Sequence, residues 1–117
     1  MRRDFDAYLL DLRRAGNNIV HFTLGFDWDM YESVLLVQKA VERELEVLGE
    51  AIRQCKYHYP VEFAALGDVQ DVIDFRNYLA HQYGDVSQKI VWDILKNDLP
   101  PLMERVESLI RQRGLRG

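Results

Sequence analysis

The chain has 117 residues, and 15 Lys and Arg against 19 Asp and Glu give a formal net charge of −4. That length suits a single compact domain spanning residues 1–117, and 48% hydrophobic with 29% charged residues is a globular balance rather than that of a disordered tail. An acidic chain this small is a poor fit for a protein that coats nucleic acid by charge alone, because phosphate contacts need clustered Lys and Arg.

Helical periodicity dominates, and no Asn-Gly or Asp-Gly hairpin turn sits between alternating segments, so the reading is all-α. A first helix is predicted over about Asp4 to Thr23, with Phe5, Leu9, Leu12, Ile19, Val20 and Phe22 on its apolar stripe and Gly16-Asn17-Asn18 as a weak point. Gly25 ends it, and Asp27 or Asp29 can cap the next helix. That second helix is predicted as one long element from about Asp29 to Tyr57. Val34, Val41, Leu48 and Cys55 lie seven apart along it, with Leu45 and Ile52 at the offset of four, a coiled-coil-like seam that must pack against other helices. Its polar face carries Glu42, Arg43, Glu46 and Glu50.

Tyr57-His58-Tyr59-Pro60 breaks this helix, since proline disfavours the α conformation in its predecessor. A third helix is expected from about Val69 to His81, capped by Asp68, with Val72, Ile73 and Leu79 on its stripe and Gly84 as its stop. A fourth starts near Asp85 or Ser87 and includes Ile90, Val91, Trp92, Ile94 and Leu95. Pro100-Pro101 then break or kink the chain, or open the first turn of a final helix over about Leu102 to Arg113. The whole reads as an up-and-down bundle of four to five helices.

The one cysteine, Cys55, permits no internal disulfide and no Cys-rich zinc site, and suits a reducing compartment. Met1-Arg2-Arg3 meets Asp4 and Asp6 rather than an apolar run, and the longest aliphatic stretch, Val34-Leu35-Leu36-Val37, is far short of a membrane span. A cytoplasmic chain with no membrane association is expected.

The stretch Arg76-Asn77-Tyr78-Leu79-Ala80-His81-Gln82-Tyr83 concentrates the residues that could carry chemistry. Asn77 and His81 are i and i+4 and share a face. Arg76 and His81 are i and i+5, about 140° apart on a straight helix, so they converge only through the reach of Arg76, a loosened last turn or a second copy of the protein. Arg76 also follows Ile73 and Val72 by three and four residues, which puts a permanent charge beside the apolar stripe, where it needs a partner or a wet cleft. Two readings fit. In one, Arg76 pairs with a Glu of the long helix and His81 is a helix-end cation. In the other, the pair handles a phosphodiester: His moves a proton near neutral pH, Arg stabilises charge on phosphate oxygens, and Asn77 orients either.

Three blocks bear on that choice: residues 40–51, Arg76-Asn77 through His81-Gln82-Tyr83, and residues 90–102 with Ile90-Val91-Trp92-Asp93-Ile94-Leu95 and Leu99-Pro100-Pro101-Leu102. Together they resemble the HepT-like branch of the HEPN superfamily, the toxin half of HepT/MntA toxin–antitoxin systems, whose signature is an Arg followed by four to six residues and a His. The resemblance implies a helical bundle that pairs as a homodimer, with the Arg/His motifs meeting at the interface. It implies metal-independent endoribonuclease activity without a cofactor, in which His81 is general base or acid on the ribose 2′-hydroxyl and Arg76 stabilises the pentavalent phosphate, leaving a cyclic phosphate end, with Asn77 in support. It further implies that Tyr83, in an Arg–four–His–any–Tyr pattern, is where an MntA-type nucleotidyltransferase attaches AMP and silences the toxin; bulky anions two residues from His81 would block an anionic substrate. The alternative is a non-catalytic HEPN interaction module that binds a nucleotidyltransferase partner, which the acidic balance favours. The lead-in Gly67-Asp68-Val69-Gln70-Asp71 is acidic where family members often carry aromatic and basic residues, and this lowers the expected RNA affinity.

Other candidates read as structural. His21 lacks Cys or acidic partners at metal spacing. His58, between Tyr57 and Tyr59, reads as loop packing, in an arrangement that could also stack a base. Cys55 continues the apolar seam, and Trp28 and Trp92 read as packing anchors.

Overall fold

The computed structural model describes residues 3–81 and 84–116. Among these the regular structure is entirely helical: α1 (Phe5–Phe22), α2 (Trp28–Ser33), α3 (Leu35–His58), α4 (Pro60–Phe63), a 3-10 turn over Ala64–Leu66, α5 (Gln70–His81), α6 (Gln88–Asn97) and α7 (Leu99–Gln112). The described residues form an all-α bundle. No helix among the described residues is long and apolar enough to cross a membrane.

Local chemistry sets most boundaries. The Asp4 carboxylate accepts from the Ala7 N–H at 2.8 Å and starts α1. Phe5, Leu9, Leu12 and Ile19 lie buried along its stripe, whereas Val20 and Phe22, expected on it, are exposed past its last buried turn. The helix runs unbroken through Gly16-Asn17-Asn18, which corrects the expected weak point. Gly16 is a place of close approach: a Cβ there would stand 2.1 Å from the sulfur of Met103 on α7. Asn18 donates to Glu44 on α3 at 3.1 Å, so its amide ties two helices together. Gly25, at φ +79°, takes the left-handed turn that releases the chain from α1.

The predicted long second helix is two helices. Val34 adopts extended backbone (φ −115°, ψ 93°) between α2 and α3. Two contacts account for the break. The buried Gln38 amide donates to the Tyr31 and Glu32 carbonyls, both at 2.9 Å, so groups that a continuous helix would satisfy from its own backbone are satisfied by a side chain. Tyr31 is fully buried, packs its ring 5.1 Å from Trp92 on α6, and donates its hydroxyl to Gln88 at 2.8 Å. The turn at Val34 lets α2 carry Tyr31 and Trp28 against α6 while α3 goes its own way. Val34 therefore leaves the seam, and Val41, Leu45, Leu48, Ile52 and Cys55 fill it.

At the other end of α3, Pro60 opens the short α4, and Gly67 at φ +79° turns the chain toward α5. The Ser87 hydroxyl accepts from the Ile90 N–H to start α6. Pro100 and Pro101 lie inside the first turn of α7, where the missing N–H groups have no helical partner to lose, so α7 begins three residues earlier than the expected Leu102. The largest interhelical contact is between α1 and α3; α5 packs on α3, and α7 on α1 and α6. Arg13 on α1 holds Glu107 on α7 through two hydrogen bonds of 2.7 and 3.1 Å.

Leu48 is fully buried in the α3 seam, whereas Leu36 at the start of the same helix is 81% exposed. Leu48→Ala is expected to cost about 2–5 kcal/mol through lost burial and a residual cavity. Leu36→Ala should stay within about 0.5 kcal/mol. Urea denaturation of both variants checks the contrast.

Candidate active site

The third predicted helix is present as α5, one residue shorter at its start, and its apolar side faces the bundle through Val72, Ile73 and Phe75. Arg76 follows on that side. Its side chain is 28% exposed, and its Nη2 stands 3.0 Å from Oε2 of Glu50 on α3. The partner expected from the first of the two readings is thus a Glu of the long helix, and it is Glu50.

The approach depends on Gly49. A Cβ at that position would lie 2.6 Å from Arg76 Cβ and 3.0 Å from Cγ, well inside van der Waals contact. The stem of Arg76 crosses α3 at the one place on that turn with no side chain, and its guanidinium then reaches the next residue, Glu50.

Glu50 is itself held. Arg53 donates from Nε at 3.1 Å and Nη2 at 2.9 Å, and Gln54 donates from Nε2 at 2.9 Å. The hydrogen bonds of Arg53, then that of Gln54 and the charges of Arg53 and Arg76, hold the Glu50 carboxyl down at about 2, although partial burial opposes the shift. It is ionised throughout the range in which a histidine titrates. Arg76 contributes as a charge, whereas the hydrogen bonds to this carboxylate come from Arg53 and Gln54.

Arg76 and Glu50 lie in the wall of a cleft of about 580 Å³ formed by α1, α3 and α5. Its lining carries three arginines, Arg3, Arg43 and Arg76, against three carboxylates, Asp11, Glu46 and Glu50. The lining pairs off: Arg3 with Asp11, Arg43 with Glu46 at 2.8 Å, and Arg76 with Glu50. Arg53, the second partner of Glu50, is then the surplus positive charge beside it.

His81 is the last residue of α5 and is exposed. Ala80, four residues after Arg76, lines the cleft, and His81 does not. Asn77 is exposed and shares the face of His81. The i,i+5 offset therefore holds: within one chain, Arg76 points at α3 while Asn77 and His81 sit on another side of the helix. Tyr83 lies outside the described residues.

The remaining candidates resolve as structure. His21 is exposed on the last turn of α1. His58 is half-buried with the Tyr57 ring edge-on at 4.8 Å. Burial pushes the Cys55 thiol up to about 12, so it is an inert core group. Trp28 and Trp92 pack on Tyr31, each covered by a lysine, Lys89 and Lys96. Sequence reasoning singled out none of Gly49, Glu50 and Arg53 as site residues. One signal was present: Gly49 sits in the middle of a strongly helical stretch, where glycine costs about 1 kcal/mol relative to alanine, and such a residue marks a close approach.

Gly49→Ala gives the corresponding test. In an open helix this change stabilises by about 1 kcal/mol. Against the stem of Arg76 it is expected to destabilise by about 1–3 kcal/mol, because the two helices must part. Thermal or urea unfolding reads the sign directly.

A family model described as Ribonuclease HepT-like matches residues 12–109. The chain is 30% identical over 112 residues to the "Probable ribonuclease HepT" of Thermococcus cleftensis, which covers 93% of this chain and 98% of that protein. It is 29% identical over 106 residues to a "Putative RNase" of Methanocaldococcus jannaschii, covering 91% of this chain and 96% of the relative. A second "Putative RNase" of the same organism is 28% identical over 110 residues, covering 94% of this chain and 90% of the relative. No solved structure matches the chain. The matched residues take in the α3 and α5 walls of the cleft, Arg76 and His81, and the chain belongs to the ribonuclease HepT-like family of the HEPN superfamily.

Proposed function

We propose that this chain is an endoribonuclease of a toxin–antitoxin pair, cutting RNA with Arg76 and His81 and without a metal. The observation that carries the proposal is the placement of Arg76: a guanidinium pinned against α3 by Glu50 in the wall of a cleft, five residues before an exposed histidine on the same helix. The family relatives named as ribonucleases supply the reaction class.

The chemistry follows from the side chains. A neutral His81 takes the proton of a ribose 2′-hydroxyl, whose oxygen attacks the adjacent phosphorus. The P–O5′ bond breaks, the departing oxygen takes a proton from a histidinium, and the products are a 2′,3′-cyclic phosphate and a 5′-hydroxyl. Arg76 stabilises the extra negative charge on the pentavalent phosphorus through charge-assisted hydrogen bonds. Asn77, on the His81 face, orients the imidazole or the substrate. Because one chain holds Arg76 and His81 on different sides of α5, a homodimer is the state in which an Arg76 and a His81 face one phosphate. The net charge of −4 limits non-specific RNA binding, so recognition rests on this small cleft.

Control falls to Tyr83. Addition of AMP to its hydroxyl by an MntA-type nucleotidyltransferase places negative charge two residues from His81, where it repels an RNA phosphate. The cytoplasm is the compartment in which such an enzyme and its RNA meet. The second reading, an interaction module without catalysis, draws on the paired charges of the cleft lining and on the separation of Arg76 from His81.

Purified chain expressed without a partner should cleave single-stranded RNA in the presence of EDTA and leave cyclic phosphate ends. His81→Ala should slow cleavage by about 10²-fold or more. Loss of cleavage in EDTA overturns the metal-free mechanism, and an unchanged rate in His81→Ala favours the interaction module. For the control step, incubation with the nucleotidyltransferase and ATP should add AMP-sized increments to the intact mass of the wild type and none to Tyr83→Phe. Equal addition to both proteins removes Tyr83 from the scheme.

A further inference from the structure

The Arg76–Glu50 contact differs from an ordinary surface ion pair. Glu50 has two oxygens, and among the described residues the hydrogen bonds to them come from Arg53 and Gln54 on its own helix. Arg53 is three residues on and Gln54 four, the spacing at which side chains on one helix face meet. The carboxylate is therefore fixed by α3 before α5 contributes anything. Arg76 approaches Oε2 at 3.0 Å and adds only its charge. A guanidinium has five N–H donors in a planar fork. A charge contact on one Nη2 leaves the rest of the fork for the cleft.

Gly49 completes the arrangement. With no Cβ between α3 and the Arg76 stem, the first two carbons of that side chain are pressed against helix backbone. The stem is positioned by packing and the head by charge, so a long flexible side chain is held at both ends. An arginine ordered in advance loses less conformational entropy when it meets a phosphate.

On the reading of Arg76 as the group that stabilises the transferring phosphate, we propose that Glu50 is the positioning residue of this site: a carboxylate locked by Arg53 and Gln54 that tethers Arg76 by charge and leaves its N–H fork open to the RNA phosphate. The two arginines and one carboxylate together carry a single net positive charge, which matches one phosphodiester. Glu50 touches no reacting atom in this scheme and acts through Arg76.

The test compares wild type, Glu50→Gln and Glu50→Asp on single-stranded RNA, with thermal melting alongside to confirm that each is folded. Glu50→Gln keeps the shape and an acceptor oxygen but removes the charge that tethers Arg76. It is expected to lower kcat about tenfold or more while KM stays within about twofold, because misplacing a transition-state group costs turnover rather than ground-state binding. Glu50→Asp keeps the charge on a shorter stem and should recover part of the loss. A kcat within about twofold of wild type in folded Glu50→Gln, or a change confined to KM, overturns the proposal. A second measurement is independent of RNA cleavage. In 15N NMR relaxation of the wild type, the Arg76 Nε–H group should show a higher order parameter than that of the exposed Arg14, as a tethered side chain does, and Glu50→Gln should remove the difference. If wild-type protein cuts no RNA but shows this difference, the ribonuclease reading fails and the tether stands. If Arg76 already behaves like Arg14 in the wild type, the tether itself is wrong.

Discussion

The passage of α5 over α3 at Gly49 is the contact on which the candidate site depends. A side chain at that position would meet the first carbons of Arg76 at 2.6 and 3.0 Å and push the helices apart. With hydrogen there instead, Arg76 crosses the backbone of α3 and delivers its guanidinium to the next residue on that helix, Glu50. The seam of Val41, Leu45, Leu48, Ile52 and Cys55 fixes the roll of α3, so Gly49 and Glu50 are turned toward α5 by the burial of their neighbours. Packing energy in the core is thereby converted into the aim of one charged group at the surface.

The charge of the chain takes on a different meaning beside this geometry. A net charge of −4 argues against a broad electrostatic groove, and the lining of the α1–α3–α5 cleft is indeed neutral, three arginines against three carboxylates. Neutrality is not the same as absence of positive charge. Each arginine is held in place by its acid, and a held arginine with donors to spare is a better phosphate ligand than a solvated one. Arg53 adds the charge that leaves the Glu50 cluster positive by one. Recognition in such a cleft comes from orientation more than from long-range attraction.

Much of the bundle was legible because it rests on local chemistry. The Asp27 cap, the seven-residue spacing of Val41, Leu48 and Cys55, and the prolines that open the first turn of a last helix are short-range signals that the structure keeps, although α7 starts three residues before the expected Leu102. The break at Val34 was not legible, since Leu35-Leu36-Val37 continues a helical pattern and the cause lies elsewhere. Gln38 reaches back to two carbonyls, and Tyr31 is drawn to Trp92, sixty-one positions along the chain. The same holds for the site. Arg76 announced its need of a partner by sitting beside Val72 and Ile73, but which of the acids on α3 it would meet depended on the register of two helices set by Gly49. The separation of Arg76 from His81 was legible from helical geometry, and the structure keeps it. Tyr83 stands outside the described residues, so its place in the scheme rests on the family pattern alone.

The identity of the residue at 76 follows from the same arrangement. A lysine ammonium is a compact, strongly hydrated point charge whose attraction is centred on one atom. Paired with Glu50 it would spend that charge on the carboxylate, and a phosphate would have to compete with Glu50 for the same three protons. A guanidinium spreads its charge over a plane and presents donors on several edges, so it can face a carboxylate on one side and a phosphate on another. The tether and the substrate contact are then compatible instead of exclusive. On the proposed reading, a Glu50 free to rotate would follow Arg76 into the cleft and cover the donors that a phosphate would use, whereas Arg53 and Gln54 hold it on its own helix. Fixed on its own helix, it can attract Arg76 without closing over it.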